Sequence, residues 1–264
     1  MRRRHQDVRA SPARPSELTG RHAASKRAAP DFARRASSYD ALRPLDDAWW
    51  QLYDVLLREG DLRGRRVLDI GCGTGQLAAA LSEHARVWAV DAEPEMVAVA
   101  RRRVRAVRVA RAEQLPFKDG WFERAVMRQV VHLVDRPRAF AEARRVLGAD
   151  GRLVIATFAE RHFDTVWLAP LFPKMMEIDR ARFPPRETLE RELRDAGFDV
   201  RVGTLSQEKP VGREDALERI RGRHISTFDL IDDDAYSEGL RRAETLPDPV
   251  PSRLEWLVVV ATTS

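Results

Sequence analysis

Val-Leu-Asp-Ile-Gly-Cys-Gly-Thr-Gly, at residues 67–75, is the stretch of the sequence that decides the fold. A short apolar run ends in an acid and three glycines, and a helical pattern begins at Gln76. A second apolar run, residues 87–90, ends at Asp91, twenty residues after Gly71. The order of strand, glycine turn, helix, strand and acid predicts a nucleotide-like ligand, held on a backbone loop with its ribose on a carboxylate.

The spacing of the glycines separates two kinds of cofactor. Dinucleotide-binding turns usually read G-x-G-x-x-G, whereas this loop reads G-x-G-x-G and continues into Gln76. Asp69 precedes the first glycine by two residues, where its carboxylate would repel a bound pyrophosphate. The loop therefore favours a cationic or amine-bearing ligand over a diphosphate. A tight strand–helix turn without any ligand is the alternative.

Composition and charge limit the classes of function. The chain has 264 residues and a hydrophobic fraction of 44%, which suits one globular domain with room for an added subdomain. The net charge is +5, and residues 1–40 alone hold ten Lys or Arg and four Asp or Glu. The rest of the chain is therefore close to neutral, which disfavours nucleic acid as the partner of the folded part.

The N-terminal tail and the residue types of the whole chain bear on its location. Residues 1–30 are rich in Arg, Ala, Ser and Pro without periodicity, which predicts a disordered basic tail; an organelle transit peptide is the alternative. No stretch approaches the ~20 apolar residues of a membrane span, and no His/Cys grouping has metal-ligand spacing. The single cysteine, Cys72, excludes an internal disulfide and fits a reducing compartment. We therefore expect a cytoplasmic protein that uses neither a metal nor a membrane.

Strands and helices alternate after the tail. Apolar residues at helical spacing predict an N-terminal helix that ends at Gly60. Strands are predicted at 66–70, 86–90, 106–110, 122–128, 151–158, 198–207 and 254–262, and helices at 75–84, 94–104, 136–147, 187–196, 213–222 and 233–244. The predicted fold class is α/β, with a doubly wound, Rossmann-like, seven-stranded and mostly parallel sheet. Residues 31–264 form one domain, with helical lid insertions at about 159–186 and 208–250.

Several further blocks accompany the glycine loop. They are Tyr-Asp-Ala-Leu-Arg-Pro at 39–44, Asp-Ala-Glu-Pro-Glu-Met at 91–96, Glu-Gln-Leu-Pro-Phe at 113–117, Val-His-Leu-Val-Asp at 131–135 and the run from Leu147 to Ile155. Together with the loop, they resemble the class I SAM-dependent methyltransferases, in the group that includes ubiquinone/menaquinone C-methyltransferase and many small-molecule methyltransferases. The blocks are specific for fold and cofactor and weak for the methyl acceptor.

The resemblance implies S-adenosylmethionine (SAM) as cofactor and S-adenosylhomocysteine (SAH) as its product. It also implies a set of cofactor-binding residues: Tyr39, Arg43, Asp69, Gly71, Cys72, Gly73, Gly75, Asp91, Ala92, Met96, Ala112, Glu113, Arg128 and Gln129. One position departs from the family. An acid often precedes the Ala-Glu pair and binds the adenine amino group, whereas this chain has Arg111 there. Glu113 or the backbone would then have to bind the adenine.

His132 is the candidate catalytic base. It follows the fourth predicted strand, at the carboxyl edge where open α/β sheets bind ligands, and an unperturbed imidazole pKa near 6.5 suits the task. The alternative is a histidine that packs against or caps the crossover after that strand. His162 and His224 lie in the lid segments and could line a pocket.

The sequence thus predicts an enzyme that transfers a methyl group from SAM to an oxygen, nitrogen or carbon of a small-molecule acceptor. Two alternatives differ in class: an RNA methyltransferase that uses the basic tail as an arm, and a non-catalytic SAM-binding partner protein. A nicotinamide dehydrogenase is disfavoured by the loop spacing. A monomer and a homodimer both remain open.

Overall fold

The computed structural model describes residues 31–36, 39–41 and 43–263, so the predicted tail at 1–30 lies outside the described residues. The elements in chain order are α1 (Phe32–Arg35), α2 (Asp47–Glu59), β1 (Arg66–Ile70), α3 (Gln76–Ser82), β2 (Arg86–Asp91), α4 (Pro94–Ala100), β3 (Val107–Val109), β4 (Phe122–Arg128), α5 (Arg136–Val146), β5 (Leu147–Phe158), α6 (His162–Thr165), α7 (Pro173–Arg182), α8 (Arg186–Asp195), β6 (Phe198–Glu208), α9 (Arg213–Arg221), a 3-10 helix (Ser226–Asp229), α10 (Asp233–Ala243) and β7 (Arg253–Thr263).

The strands form one seven-stranded sheet in the order β3-β2-β1-β4-β5-β7-β6. Neighbours from β3 to β5 run parallel, whereas β7 runs antiparallel to both β5 and β6. This arrangement confirms the predicted α/β class and the mostly parallel sheet. The strand order reverses between β1 and β4, and ligands of such sheets bind beyond the carboxyl ends of the strands at this point.

The central strands are buried on both faces: four of the five residues of β1 and five of the seven residues of β4 are buried. Side chains alternate between the faces because successive residues of a strand point to opposite sides. Leu68 and Ile70 pack in the cluster that α5 and α8 cover, whereas Val67 and Val126 pack in the cluster that α2 and α3 cover. Because helices cover both faces of the sheet, a ligand can reach the central strands only at their ends. The glycine loop lies at the carboxyl ends.

Helix α2 follows from a cap and an apolar stripe. The Asp46 carboxylate accepts the Trp49 N–H at 3.0 Å, which satisfies one of the open donors of the first turn. Five side chains at helical spacing then bury themselves against the sheet: Trp49, Leu52, Tyr53, Leu56 and Leu57. The helix places Trp49 beside the carboxyl edge, where the Arg128 guanidinium lies 5.7 Å from its ring centroid.

Several predicted boundaries differ from the structure, and two of them differ by more than two residues. Strand β5 begins at Leu147 and not at 151, because Leu147 pairs with Phe122 before the register shifts between Phe122 and Arg124. The glycines of this segment lie in an irregular strand and not in a loop. Helix α4 ends at Ala100 and not at 104, because the next residues turn and the Arg103 side chain reaches back to the glycine loop.

A second body of helices covers part of the sheet's carboxyl side. We call it the helical cluster: α6, α7, α9, the 3-10 helix and α10, which share one apolar core. Phe172 packs so closely on Gly239 that an added Cβ would lie 2.0 Å from the ring. Most of the cluster falls within the two predicted lid segments; its role as a lid stays a prediction. Within the described part of the chain, no helix is both long and apolar enough to cross a membrane.

Candidate active site

The glycine loop joins β1 to α3 and bends back towards β2. The N–H groups of Gly71 and Cys72 both donate to the Val90 carbonyl, at 2.8 and 2.9 Å. Gly71 has φ 75° and touches Val130, whose side chain would lie 2.5 Å from an added Cβ. Gly73 has φ 54° and would place a Cβ in open space, with nothing within 4 Å. Packing thus requires the first glycine, whereas the second leaves room beside the backbone.

Asp91, at the end of β2, binds the backbone of this loop. Its two carboxylate oxygens accept the N–H groups of Gly73 at 2.8 Å and of Glu93 at 3.0 Å. Burial raises the pKa of Asp91, and these hydrogen bonds oppose the rise. Each oxygen keeps further acceptor capacity, so the carboxylate is fixed in place and still able to accept hydroxyl donors from a ligand.

Asp69 is a buried acid beneath the loop. Its side chain is only 1% exposed, and Oδ2 has no hydrogen-bond partner within the described residues. Burial and the charge of Asp91 raise the pKa of Asp69 to about 7, while Arg128 opposes the rise. The nearby Cys72 thiol also has its pKa raised by burial, which keeps it protonated and unreactive. A cationic ligand group would favour the ionised form of Asp69.

Buried polar atoms without partners gather at this edge. Buried polar groups in folded proteins are almost always hydrogen-bonded. In the described residues, the carboxyl edge and the adjoining helices contain most of the exceptions: Trp49 Nε1, Asp69 Oδ2, Gln129 Nε2, His132 Nδ1, Thr157 Oγ1 and Arg182 Nη2. The other two are on Arg66, the first residue of β1, and on Arg152, which lies in the middle of β5. This distribution indicates that the carboxyl edge is built to bind a polar ligand.

The N-terminal segment is tied to the loop by Asp40, a residue of the 39–44 block to which the sequence analysis assigned no role. The Thr74 hydroxyl donates to Asp40 at 2.6 Å, and Arg103 bonds both to Asp40 at 2.7 Å and to the Thr74 carbonyl at 2.8 Å. The Arg43 guanidinium lies 3.8 Å from the centroid of the Tyr39 ring. Tyr39 and Arg43 therefore sit on a segment anchored beside the predicted cofactor site.

The predicted adenine side is apolar. Met96 and Ala112 are both buried, at 2% and 7% exposure, and Ala92 lies exposed at the rim. The Glu113 carboxylate accepts the Asp135 N–H at 2.9 Å and pairs with Arg111 at 3.3 Å. Arg111, which departs from the family pattern, thus binds Glu113 and competes for the oxygens that would accept from an adenine amino group.

His132 lies where the sequence predicts it, in an apolar setting. Its ring stacks on Phe183 of the helical cluster, with centroids 3.9 Å apart and planes 15° apart. Burial lowers the pKa of His132 to about 3, and the charge of Arg182 adds to the effect. The imidazole is therefore neutral at physiological pH, and its basicity is lower than the unperturbed value assumed from sequence.

The other two histidines lie in packed surroundings. His162 stacks on Phe158 with centroids 3.6 Å apart, and burial lowers its pKa to about 3. His224 stacks parallel to Trp167 with centroids 6.2 Å apart, and its Nδ1 lies 3.0 Å from the Arg219 carbonyl. Of the three histidines, His132 follows the central strand β4, whereas His162 belongs to α6 and His224 lies between α9 and the 3-10 helix.

A buried polar triad in the helical cluster was missed from sequence. Thr227 Oγ1 donates to Asp179 Oδ1 at 2.6 Å, and Arg182 Nη1 donates to Thr227 at 3.2 Å and to Asp179 at 3.4 Å. Burial raises the pKa of Asp179 to about 6 and lowers the pKa of Arg182. The triad joins α7 to the 3-10 helix across 48 residues of sequence. No local motif signals such a contact.

Known proteins resemble the chain in both sequence and fold. A family model described as a methyltransferase domain matches residues 68–155. The malonyl-[acyl-carrier protein] O-methyltransferase of Geobacter sulfurreducens is 35% identical over 182 residues, which cover 63% of this chain and 68% of that protein. The ubiquinone/menaquinone biosynthesis C-methyltransferase of Bordetella parapertussis is 30% identical over 208 residues, which cover 66% of this chain and 80% of that one.

A solved structure shares the fold. It is the geranyl diphosphate C-methyltransferase of Streptomyces coelicolor in complex with Mg²⁺, geranyl diphosphate and SAH, with a TM-score of 0.54 and 16% identity over 81% of this chain and 78% of that one. These findings support neither the RNA methyltransferase nor the non-catalytic alternative. They confirm an enzyme that uses SAM as its cofactor. The chain belongs to the class I SAM-dependent methyltransferases.

Proposed function

We propose that SAM binds along the carboxyl edge of β1, β2 and β4, with its ribose on Asp91 and its methionine end above Asp69. The observation that carries this placement is the open space beside Gly73, bounded by a carboxylate fixed at 2.8 and 3.0 Å from two backbone donors. The unpartnered Oδ2 of Asp69 is the second observation that supports this placement. A cationic group of the ligand would stabilise the ionised form of this buried acid, whose pKa is raised.

The remaining predicted residues surround this position. We assign the Gln129 amide and Arg128 to the methionine end, since Gln129 Nε2 is a buried donor without a partner in the described residues. Arg43 and Tyr39 would close over the same end, with Arg43 near the methionine carboxylate.

On the adenine side, Met96 and Ala112 would form the apolar wall of the site. The loop residues Gly71, Cys72 and Gly75, together with Ala92, would contribute backbone.

We place the acceptor between His132 and the helical cluster. Bound SAM supplies an activated methyl group at its sulfonium, so the chain mainly has to orient the nucleophile in line and exclude water. Holding two reactants in such geometry supplies about 7–11 kcal/mol of the barrier in favourable cases. The neutral His132 imidazole can accept a hydrogen bond from an acceptor hydroxyl or amine, and its stacking on Phe183 fixes the ring plane.

The helical cluster would form the wall of the acceptor site opposite the sheet. Phe183 links the two bodies: its ring lies 5.9 Å from Phe158 at the end of β5 and 5.1 Å from Phe163 of α6, centroid to centroid. Apolar and aromatic walls with a few placed polar groups are typical of small-molecule pockets. We therefore propose a small, partly apolar acceptor, methylated on oxygen, nitrogen or carbon.

Calorimetric titration of the full chain with SAM and with SAH tests the cofactor assignment. Incubation with methyl-tritiated SAM and a panel of small phenols, carboxylic acids, amines and 1,3-diketones then tests transfer. The proposal predicts one binding site for each compound and radioactivity in at least one small product. A folded protein that binds neither SAM nor SAH would refute it.

A further inference from the structure

The end of α7 carries a cationic group that reaches the candidate acceptor site. Phe183 stacks on His132 and also packs against Phe158, so this turn of chain lies over the carboxyl ends of β4 and β5. Arg182 is the residue immediately before Phe183. Its charge acts on the His132 ring, where it helps to lower the imidazole pKa. The guanidinium is therefore carried by the residue next to the ring that stacks on the imidazole.

Arg182 is held in place from one side only. Nη1 donates to Thr227 at 3.2 Å and to Asp179 at 3.4 Å, and the side chain as a whole is 18% exposed. Nη2 is buried and makes no hydrogen bond among the described residues. The bond to Asp179 is long and uses one oxygen, unlike the bidentate fork that arginine forms with a fully engaged carboxylate. The guanidinium is thus oriented and still has donors to offer.

The ion pair within the triad rests on a single contact, 3.4 Å between Arg182 Nη1 and Asp179 Oδ1, in a poorly solvated setting. Asp179 is the acid that contacts Arg182, and burial raises the pKa of Asp179 to about 6 while lowering the pKa of Arg182. Burial thus disfavours the charged form of each group, and the contact between the two groups opposes this effect. An added anionic oxygen would compensate the guanidinium, whereas an added ammonium group would be repelled by it.

We propose that Arg182 anchors an anionic oxygen of the methyl acceptor beside His132, so that the preferred acceptors are small organic acids, either carboxylates or phenolates, and not amines. The inference rests on the proposed position of the acceptor. The anchoring oxygen pairs with the free face of the guanidinium, which orients the rest of the acceptor towards the methyl donor. His132 Nδ1 and Gln129 Nε2, both buried and without partners in the described part of the chain, complete the polar lining.

The test compares matched pairs of ligands on the SAH-loaded full chain by calorimetry. Benzoate against benzamide reports on carboxylates, and 4-nitrophenolate against 4-nitroanisole reports on phenolates. We expect at least one acid to bind tenfold or more tightly than its neutral partner, and the pair that shows this preference identifies the acid class. This comparison needs no variant, so it holds even if a substitution prevents folding.

Two arginines of α7 supply matched variants. Arg182→Gln should abolish the preference for the acid without changing the SAH affinity. Arg180→Gln is the control, because Arg180 pairs with the exposed Asp164 and with the Phe163 carbonyl at 3.2 Å; it should keep the preference. Equal binding of acids and neutral partners by the wild type, or a preference retained by Arg182→Gln, would overturn the inference alone. A wild type that binds no SAH would instead overturn the proposed function, and this inference with it.

Discussion

Replacing Gly73 by alanine separates the backbone role of the glycine loop from its role in binding. A non-glycine residue in the left-handed region costs about 1–2 kcal/mol, and Gly73 has φ 54°. For a domain of this size we expect the melting temperature to fall by about 2–4 °C per kcal/mol. The backbone strain is present in both the free and the bound protein, so the strain by itself does not change the Kd for SAM. The new methyl group, however, enters the open space assigned to SAM, and we expect at least about a tenfold loss of affinity, or 1.4 kcal/mol.

Gly64 provides the matched control for this change. It has φ 73°, its added Cβ would also meet nothing within 4 Å, and it precedes β1 at the opposite edge of the sheet. Thermal unfolding and calorimetry with SAM should show similar destabilisation for Gly64→Ala and Gly73→Ala. Only the second should lose SAM affinity. Equal SAM affinities for the two folded variants would refute the assignment of the space beside Gly73.

Three further changes test the acid, the candidate base and the helical cluster. Because the pKa of Asp69 is raised to about 7, the ionised fraction of its carboxyl grows as pH rises, and SAM affinity should rise about fivefold from pH 6 to pH 7. Calorimetry of Asp69→Asn should show no such rise. A rise that persists in this variant would contradict the role of Asp69 in binding the cationic end of SAM. His132→Ala removes one hydrogen-bonding group, so it should lower kcat by up to about tenfold, the equivalent of about 0.5–1.5 kcal/mol, with unchanged SAH affinity. Because the pKa of His132 is lowered to about 3, the wild-type rate profile should show no histidine step near pH 6.5, and such a step would count against the buried setting. Gly239→Ala places a Cβ 2.0 Å from the Phe172 ring, so it should destabilise the fold by about 1–3 kcal/mol and leave the SAH affinity unchanged. An unchanged melting temperature would show that this contact is not tight.

The order of elements could be predicted because the local signals agree with the global fold. The strands at 66–70 and 122–128 were predicted at their observed bounds, since each has an apolar centre and is followed by a change of pattern, at the glycine loop after Ile70 and at polar residues from Arg128. Boundaries set by distant contacts were not predictable. Helix α4 ends early because Arg103 turns back to Thr74, and β5 starts early because Leu147 pairs with Phe122.

The residues of the candidate site also fall into a predictable group and an unpredictable one. Asp69, Gly73 and Asp91 are marked by spacing within one strand–turn–helix unit, and the structure brings them together at one edge. Asp40 and Arg182 carried no such signal. Asp40 reaches Thr74 across 34 residues, and Arg182 reaches Thr227 across 45. Such partners become visible only when the chain is folded, because the contacts depend on how the N-terminal segment and the helical cluster pack on the sheet.

The setting of His132 shows a third limit. Its position after β4 was predictable, whereas its low pKa depends on Phe183 and Arg182 of the helical cluster, about fifty residues further along the chain. Burial of the ring changes its expected contribution from an efficient general base to a neutral hydrogen-bonding group. The sequence therefore indicates a candidate residue after β4, and the packing around it determines what that residue can do.

A crystal structure of the full chain with SAH tests the central claim most directly. The account predicts SAH at the carboxyl edge of β1, β2 and β4, with its ribose hydroxyls within hydrogen-bond distance of Asp91, its backbone contact at Gly73 and its amino group facing Asp69. SAH bound elsewhere on the protein, or bound at this edge with its ribose away from Asp91, would contradict the account.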